Sequence, residues 1–268
     1  MNKSKISFEK FRKKALIPKD EITAIYTIDP LAVRLAYFIY KKDLPITPNQ
    51  ITVFRLLFLT SAAIACLFLA PLLHLKIFYL FAAILEWLIM FGDGVDGDLA
   101  RGADKKSTLG AFLDVISDRV VIILFVLFLF SLGMFEQNKF LIFGSAFLFI
   151  TKLYNMTVIN KVFYFAKKNL NVDNLFSGFE EQDKLGISKV NSVYSWLNKY
   201  IKEKRWCEST GAYERNIITF IIPCLLVYFG LNIVAVILGY IFIVLFSYFY
   251  LSRTKNLIVD YKKELSKK

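Results

Sequence analysis

Residues 91–120 read FGDGVDGDLARGADKKSTLGAFLDVISDRV, and the fold of the chain follows from how its aspartates and glycines are spaced. Asp93, Asp96, Gly97 and Ala100 stand at i, i+3, i+4 and i+7, so they share one face of a helix. Beyond a polar link, Gly110, Asp114 and Asp118 stand at i, i+4 and i+8, again one face, within an apolar helix. A reversal at Lys105, Lys106 and Ser107 brings the two faces together. Four carboxylates and two glycines then meet between two helices at membrane depth. Each acid costs on the order of 2.5–3.5 kcal/mol to insert near hydrocarbon, and the four repel one another. A cation is therefore expected among them, because Arg101 and Arg119 cannot balance four charges. With no His or Cys nearby in sequence, all-oxygen ligands favour Mg²⁺ or Mn²⁺ over zinc. A site this acidic has room for two such ions, which suits displacement at phosphorus. The glycines let a phosphate-bearing substrate reach the helix backbone. Arg101 offers a planar donor fork to phosphate oxygens. Asp98 lies off the shared face and Asp104 lies in the link, so both read as capping or solvated residues, and Gly102 reads as a turn former.

The sequence on either side places this cluster in a membrane. Of 268 residues 56% are apolar, including 27 Phe, and mean hydropathy is +0.50. A soluble domain is nearer 45–50% apolar, and here the excess falls in bilayer-length runs. Residues 51–91 carry only Arg55, Lys76 and Glu86 as full charges, enough for two helices of about 20 residues each. Six spans are expected, at 51–70, 76–91, 110–135, 140–165, 215–229 and 233–251. The fifth is short and holds Pro223, tolerable where neighbours satisfy the freed carbonyl. The fold class is thus an all-α integral membrane protein. Its expected parts are an N-terminal arm (1–49), a six-span catalytic domain (50–252) with a cytoplasmic loop (166–213), and a basic tail (253–268).

Net charge is +12, concentrated in the first fifty residues, in 167–215 and after Arg253. Basic segments beside apolar spans mark cytoplasmic loops facing anionic lipid, not a nucleic-acid surface. Both termini and the aspartate cluster are therefore expected in the cytoplasm, with the inner membrane of a bacterium or archaeon as the location. Cys66, Cys207 and Cys224 form no disulfide framework, and the Lys-rich polar N-terminus shows no cleavable signal.

Two segments outside the spans are amphipathic. Leu31, Leu35, Phe38 and Ile39 follow Asp29-Pro30, the start of an interfacial helix. Val190, Val193, Tyr194, Leu197, Tyr200 and Ile201 predict a second, in the cytoplasmic loop. For each, packing on the protein's own cytoplasmic face is an equal alternative. Thr47-Pro48-Asn49 is a helix-entry signal, with Pro in the first turn behind a polar cap.

Written out, residues 93–118 are D-x2-D-G-x2-A-R-x8-G-x3-D-x3-D, eight fixed residues over 26 positions. This resembles the signature of the CDP-alcohol phosphotransferase family, membrane enzymes that include phospholipid synthases. The resemblance implies six spans, an N-terminal interfacial helix and a homodimer. It implies Asp93, Asp96, Asp114 and Asp118 as metal ligands, with Asp118 also the general base for the acceptor hydroxyl. Gly97, Ala100, Arg101 and Gly110 would contact the CDP moiety, Arg101 on its diphosphate, and Asn49 and Thr52 would line the nucleotide pocket. The implied reaction is attack by an alcohol on the donor's β-phosphorus, with release of CMP. The donor would be CDP-diacylglycerol, or a soluble CDP-alcohol paired with a lipid acceptor.

The acceptor side is less sharply written. Lys152, near Asn155 in span four, and Arg215, at the start of span five, are candidates for an anionic acceptor or head group. Snorkelling or pairing with an aspartate explains Lys152 equally well, and Arg119 either binds phosphate or pairs with Asp114. Two other functions use acidic clusters. A Mg²⁺-dependent membrane prenyltransferase carries two separated Asp-rich motifs, and a cation transporter sets polar groups across the midplane. This chain has one cluster, at the cytoplasmic ends. The loop after span four is long for such a connection, which suggests a cover over the site.

Overall fold

In the computed structural model, which describes residues 6–16, 28–169 and 216–265, all regular structure is helical, with no strand among the described residues. Helices α1 (Phe8–Ala15) and α2 (Asp29–Lys41) precede α3 (Pro48–Leu73), α4 (Ile77–Gly102), α5 (Thr108–Phe135) and α6 (Lys139–Asn169). Then come α7 (Ile217–Tyr228) and α8 (Asn232–Leu265). The expected loop helix at 190–201, most of the long loop and Arg215 lie outside the described residues.

Among the described residues, three helical stretches are long and apolar enough to cross a membrane: Pro48–Leu73, Ile77–Gly102 and Asn232–Ser252. Ile122–Phe135 and Ile217–Tyr228 are shorter apolar stretches. Large apolar groups point outward, with Phe140 80% and Ile233 77% exposed, as suits a surface surrounded by lipid. The chain is a membrane protein.

Local chemistry sets the ends of the helices that carry the site. Thr47 and Gln50 close a capping box at the start of α3, with Pro48 in the first turn. α3 ends at His74 in the left-handed conformation. α4 runs unbroken through Gly92, Gly94 and Gly97; its 26 residues span about 39 Å at 1.5 Å each, more than the ~30 Å hydrocarbon core. Asp93, Asp96 and Asp98 stand in its last three turns. The reversal occupies residues 103–107, with Asp104 at φ 54°, and Ser107 caps α5 by accepting from the Gly110 N–H. α6 continues past its expected end to Asn169, and α8 carries the basic tail on as helix to Leu265.

Packing divides into two cores. In the first, α3 and α4 approach through Ala63, Ala70, Ala82 and Ala83, small residues that let apolar helices close together. Tyr79 and Ser131 share a hydrogen bond of 2.9 Å across α4 and α5, satisfying both hydroxyls away from water. Pro223 falls where a π turn, Ile217–Ile221, hands over to α-helix, so its missing donor meets an already re-registered ladder. The second core joins α1 and α2 to the C-terminal end of α4 through Phe11, Ala15, Ala36, Ile39, Val95 and Leu99. In α2, Ala32, Val33, Ala36 and Ile39 are buried on the protein, while Leu31, Leu35 and Phe38 are exposed, so Ile39 belongs to the packed face and not with those three.

Gly102 does not form the turn, as its sequence context suggested. It closes α4, and the Phe11 ring occupies the space where a Cβ would stand; the turn geometry belongs to Asp104. Gly102→Leu is expected to lift α1 off α4, at a cost of about 1–3 kcal/mol. Trypsin should then cut at Arg12, Lys13 and Lys14 in α1 faster than in wild-type protein in nanodiscs.

Candidate active site

The site is built where the start of α3, the end of α4 and the start of α5 meet. Asp96, 8% exposed, accepts from the Thr52 hydroxyl at 2.7 Å and from Arg55 Nη2 at 3.1 Å, both on the same oxygen, Oδ2. Asp93, about a third exposed at its side chain, receives Arg55 Nη1 at 2.8 Å on Oδ1. One guanidinium, 2% exposed, thus binds two carboxylates of the motif. The planar fork of arginine allows this; a lysine's point charge would not hold both geometries.

The backbone is shaped to place that fork. Arg55 opens a π turn, Arg55–Leu59, and its carbonyl takes both the N–H and the hydroxyl of Thr60. Such turns recur at functional sites because they re-aim a side chain without ending the helix. Opposite, a Cβ at Gly92 would lie 3.0 Å from Arg55 Cδ, so Gly92 supplies the channel through which the stem crosses α4.

A second link ties α3 to α5. The Gly110 N–H donates to Ser107 Oγ at 2.9 Å, and Ser107 Oγ donates to Asn49 Oδ1 at 3.2 Å. A Cβ on Gly110 would stand 3.0 Å from Asn49 Oδ1, so the glycine permits the approach. Neighbouring turns of α3 thereby reach Asp96 on α4 through Thr52 and Gly110 on α5 through Asn49 and Ser107. Asp114 and Asp118 follow Gly110 at four-residue intervals on α5, and their side chains lie outside the described residues. Ala100 is half-buried on α4, and its carbonyl accepts from the Lys105 N–H at 2.8 Å, closing the helix below the reversal.

Arg101 is held in three ways. Its Nη2 donates to Asp98 Oδ1 at 2.8 Å, its Nε donates to the Ala15 carbonyl, and its guanidinium lies over Gly97. Asp98 is therefore not a solvated or capping residue: it is 1% exposed and paired. It falls off the face shared by Asp93 and Asp96 because it serves Arg101, three residues along. Asp104 is exposed, as expected of the link, and pairs with Lys14 at 2.7 Å.

The acceptor candidates are placed otherwise. Lys152 Nζ sits 4.4 Å from the centre of the Tyr250 ring, a cation–π contact between α6 and α8. Asn155 donates to Thr254 Oγ1 at 2.8 Å and to the Tyr250 carbonyl, a structural tie between the same helices.

Sequence reasoning passed over Arg55 and Glu86, counting them only as charges in a span. Yet Arg55 stands three residues after Thr52, and Glu86 stands seven before Asp93 on the same helical face. A charge at membrane depth was the signal that could have found both. Glu86 is fully buried, and its Oε1 accepts from Asn216 Nδ2 at 3.1 Å, fastening α4 to the start of α7.

Comparison with known proteins then decides the family. The profile described as CDP-alcohol phosphatidyltransferase matches residues 45–246. The chain belongs to the CDP-alcohol phosphatidyltransferase family. A relative, the bifunctional IPC transferase and DIPP synthase of Thermococcus kodakarensis, is 35% identical over 91 residues. The match takes in 34% of this chain and 18% of that protein, so the chain spans under a fifth of the relative's length. Within the CDP-alcohol phosphatidyltransferase match lie the Thr47 cap, Arg55 and the whole aspartate pattern, while α1 and α2 precede it.

Proposed function

We propose that this protein transfers a phosphoalcohol group from a CDP-linked donor to an alcohol acceptor, releasing CMP, in the synthesis of phospholipids or related polar lipids. One observation carries the reading: Thr52 and Arg55 on α3 hold Asp96 and Asp93 on α4, while Asn49 on the same helix is tied through Ser107 to Gly110 on α5. Family membership is the reason to prefer this over a prenyltransferase or a cation transporter. The fold would be six spans in a homodimer, with both termini and the site in the cytoplasm. The donor is CDP-diacylglycerol, or a soluble CDP-alcohol with a lipid acceptor.

The donor set suits divalent metal. Asp93 and Asp96 converge closely enough to share one cationic group, and Arg55 brings one positive charge against four aspartates, while Arg101 is engaged by Asp98. Asp93, Asp96, Asp114 and Asp118 would hold Mg²⁺ or Mn²⁺, as two ions. Bound there, the metal would supply charge stabilisation for the diphosphate.

The residues of the chain do the rest. Asn49, Thr52, Gly97, Ala100, Arg101 and Gly110 wall the CDP moiety, Gly97 making room for Arg101 and Gly110 for Asn49. Asp118 takes the proton of the acceptor hydroxyl. The acceptor oxygen bonds to the β-phosphorus, the bond from that phosphorus to the bridging oxygen breaks, and CMP leaves with the pair. Lys152 and Arg215 are proposed to meet an anionic acceptor.

The test is CMP release by purified protein in lipid, over a panel of CDP-linked donors and alcohol acceptors. Release that needs both partners, stops with EDTA and returns with Mg²⁺ is the expected result. Folded, metal-binding protein that releases no CMP from any pair would overturn the proposal.

A further inference from the structure

Helix α1 lies outside the stretch that matches the family, yet it touches the arginine of the motif directly. We propose that Asp98 and the Ala15 carbonyl are positioning groups that fix Arg101 over Gly97, which makes α1 a working part of a pyrophosphate-binding site. The proposal rests on the functional reading above, in which Arg101 meets the donor's diphosphate.

A guanidinium carries five N–H donors in a rigid fork. Two are taken from behind: Nε by the Ala15 carbonyl and one on Nη2 by Asp98 Oδ1 at 2.8 Å. Among the described residues both hydrogens of Nη1 and the second of Nη2 have no partner, and these two nitrogens are the ones that lie over Gly97. A Cβ at that position would stand 2.9 Å from Nη1 and 3.1 Å from Nη2. Gly97 therefore gives the guanidinium the space it occupies against the α4 backbone, which a side chain there would take from it. Pre-orientation matters because a long arginine side chain otherwise loses its rotamer freedom on binding. Here that ordering precedes the ligand.

The clamp is anchored independently of Arg101. Phe11 is fully buried against Gly102, Phe8 and Phe11 pack on Tyr37, and Lys14 pairs with Asp104 at 2.7 Å. These contacts set the Ala15 carbonyl at the end of α1 in front of Nε. Asp98, 1% exposed, has its charge answered by Arg101 within a single turn of α4.

The experiment measures donor KM and kcat for the full chain in nanodiscs, in wild type, Asp98→Ala, Asp98→Glu, Phe11→Ala, Arg101→Ala and the double variant Asp98→Ala/Arg101→Ala. The expected result is a rise of about tenfold in donor KM for Asp98→Ala, with kcat within a few-fold, as for a lost binding contact made equally in ground and transition states. Asp98→Glu should recover part of it. Phe11→Ala, which releases α1 and keeps Asp98, should raise KM in the same sense. In the Arg101→Ala background the Asp98 substitution should add nothing, because both act through one group. Unchanged KM in Asp98→Ala, or full additivity in the double variant, would overturn the positioning role while the functional reading stands. Wild-type protein that turns over no donor would overturn both.

Discussion

Asp118→Asn is expected to cut CMP release by about 10²–10⁴-fold, the range for removing a positioned general base. The substitution keeps the size of the side chain and removes its ability to take a proton, so the helix it sits on should survive. Asp118 lies at the end of the i, i+4, i+8 series that starts at Gly110, and Gly110 is the residue of α5 tied to Asn49 on α3. The same carboxylate is expected to bind metal, so the Mg²⁺ concentration needed for half-maximal rate should rise too. The check is turnover at saturating Mg²⁺ beside a thermal melt. A variant that folds as wild type and still turns over at more than a tenth of the rate would remove Asp118 from the reaction.

Arg55→Met should produce an effect of similar size by another route. Removing one partner of a buried ion pair leaves the other charge uncompensated, at about 3–5 kcal/mol. The low end applies, because Asp93 is about a third exposed while Asp96 is buried. Stability measured with EDTA should therefore fall by about 3 kcal/mol, and Mg²⁺ should recover part of it by supplying the missing counter-charge. Activity should fall at least 10²-fold, since the carboxylates also lose the fork that fixes them. Arg55→Lys should restore charge but not bidentate geometry, giving intermediate stability and low activity. If Arg55→Met melts as wild type does in EDTA, the buried fork is not what holds Asp93 and Asp96.

What the sequence made legible were those features with a strict period. The aspartates and glycines of 93–118 were readable because helix spacing puts each set on one face, and the two helices and the reversal between them stand where the sequence placed them. The entry at Thr47 was readable because Thr, Pro and Gln stand at capping positions. α1 was not, although Phe8, Phe11 and Ala15 share a face at i, i+3 and i+7, because basic residues surround them. Asp98 was misjudged for a physical reason: being off the catalytic face suggested solvent, whereas Arg101 and α1 enclose that side of α4. Gly102 was misjudged likewise, since close approach by a ring and a turn both call for glycine, and only the packing of Phe11 separates the two. Arg55 required knowing that α3 faces Asp93 and Asp96, which no local pattern states.

The central claim, displacement at the β-phosphorus of a CDP-linked donor, is tested most directly by donor labelled with ³²P at the β position. Purified protein in lipid with Mg²⁺ should move the label into the alcohol product and release unlabelled CMP in equal amount. Label left on the nucleotide, or freed as phosphate without a lipid or alcohol product, would contradict it.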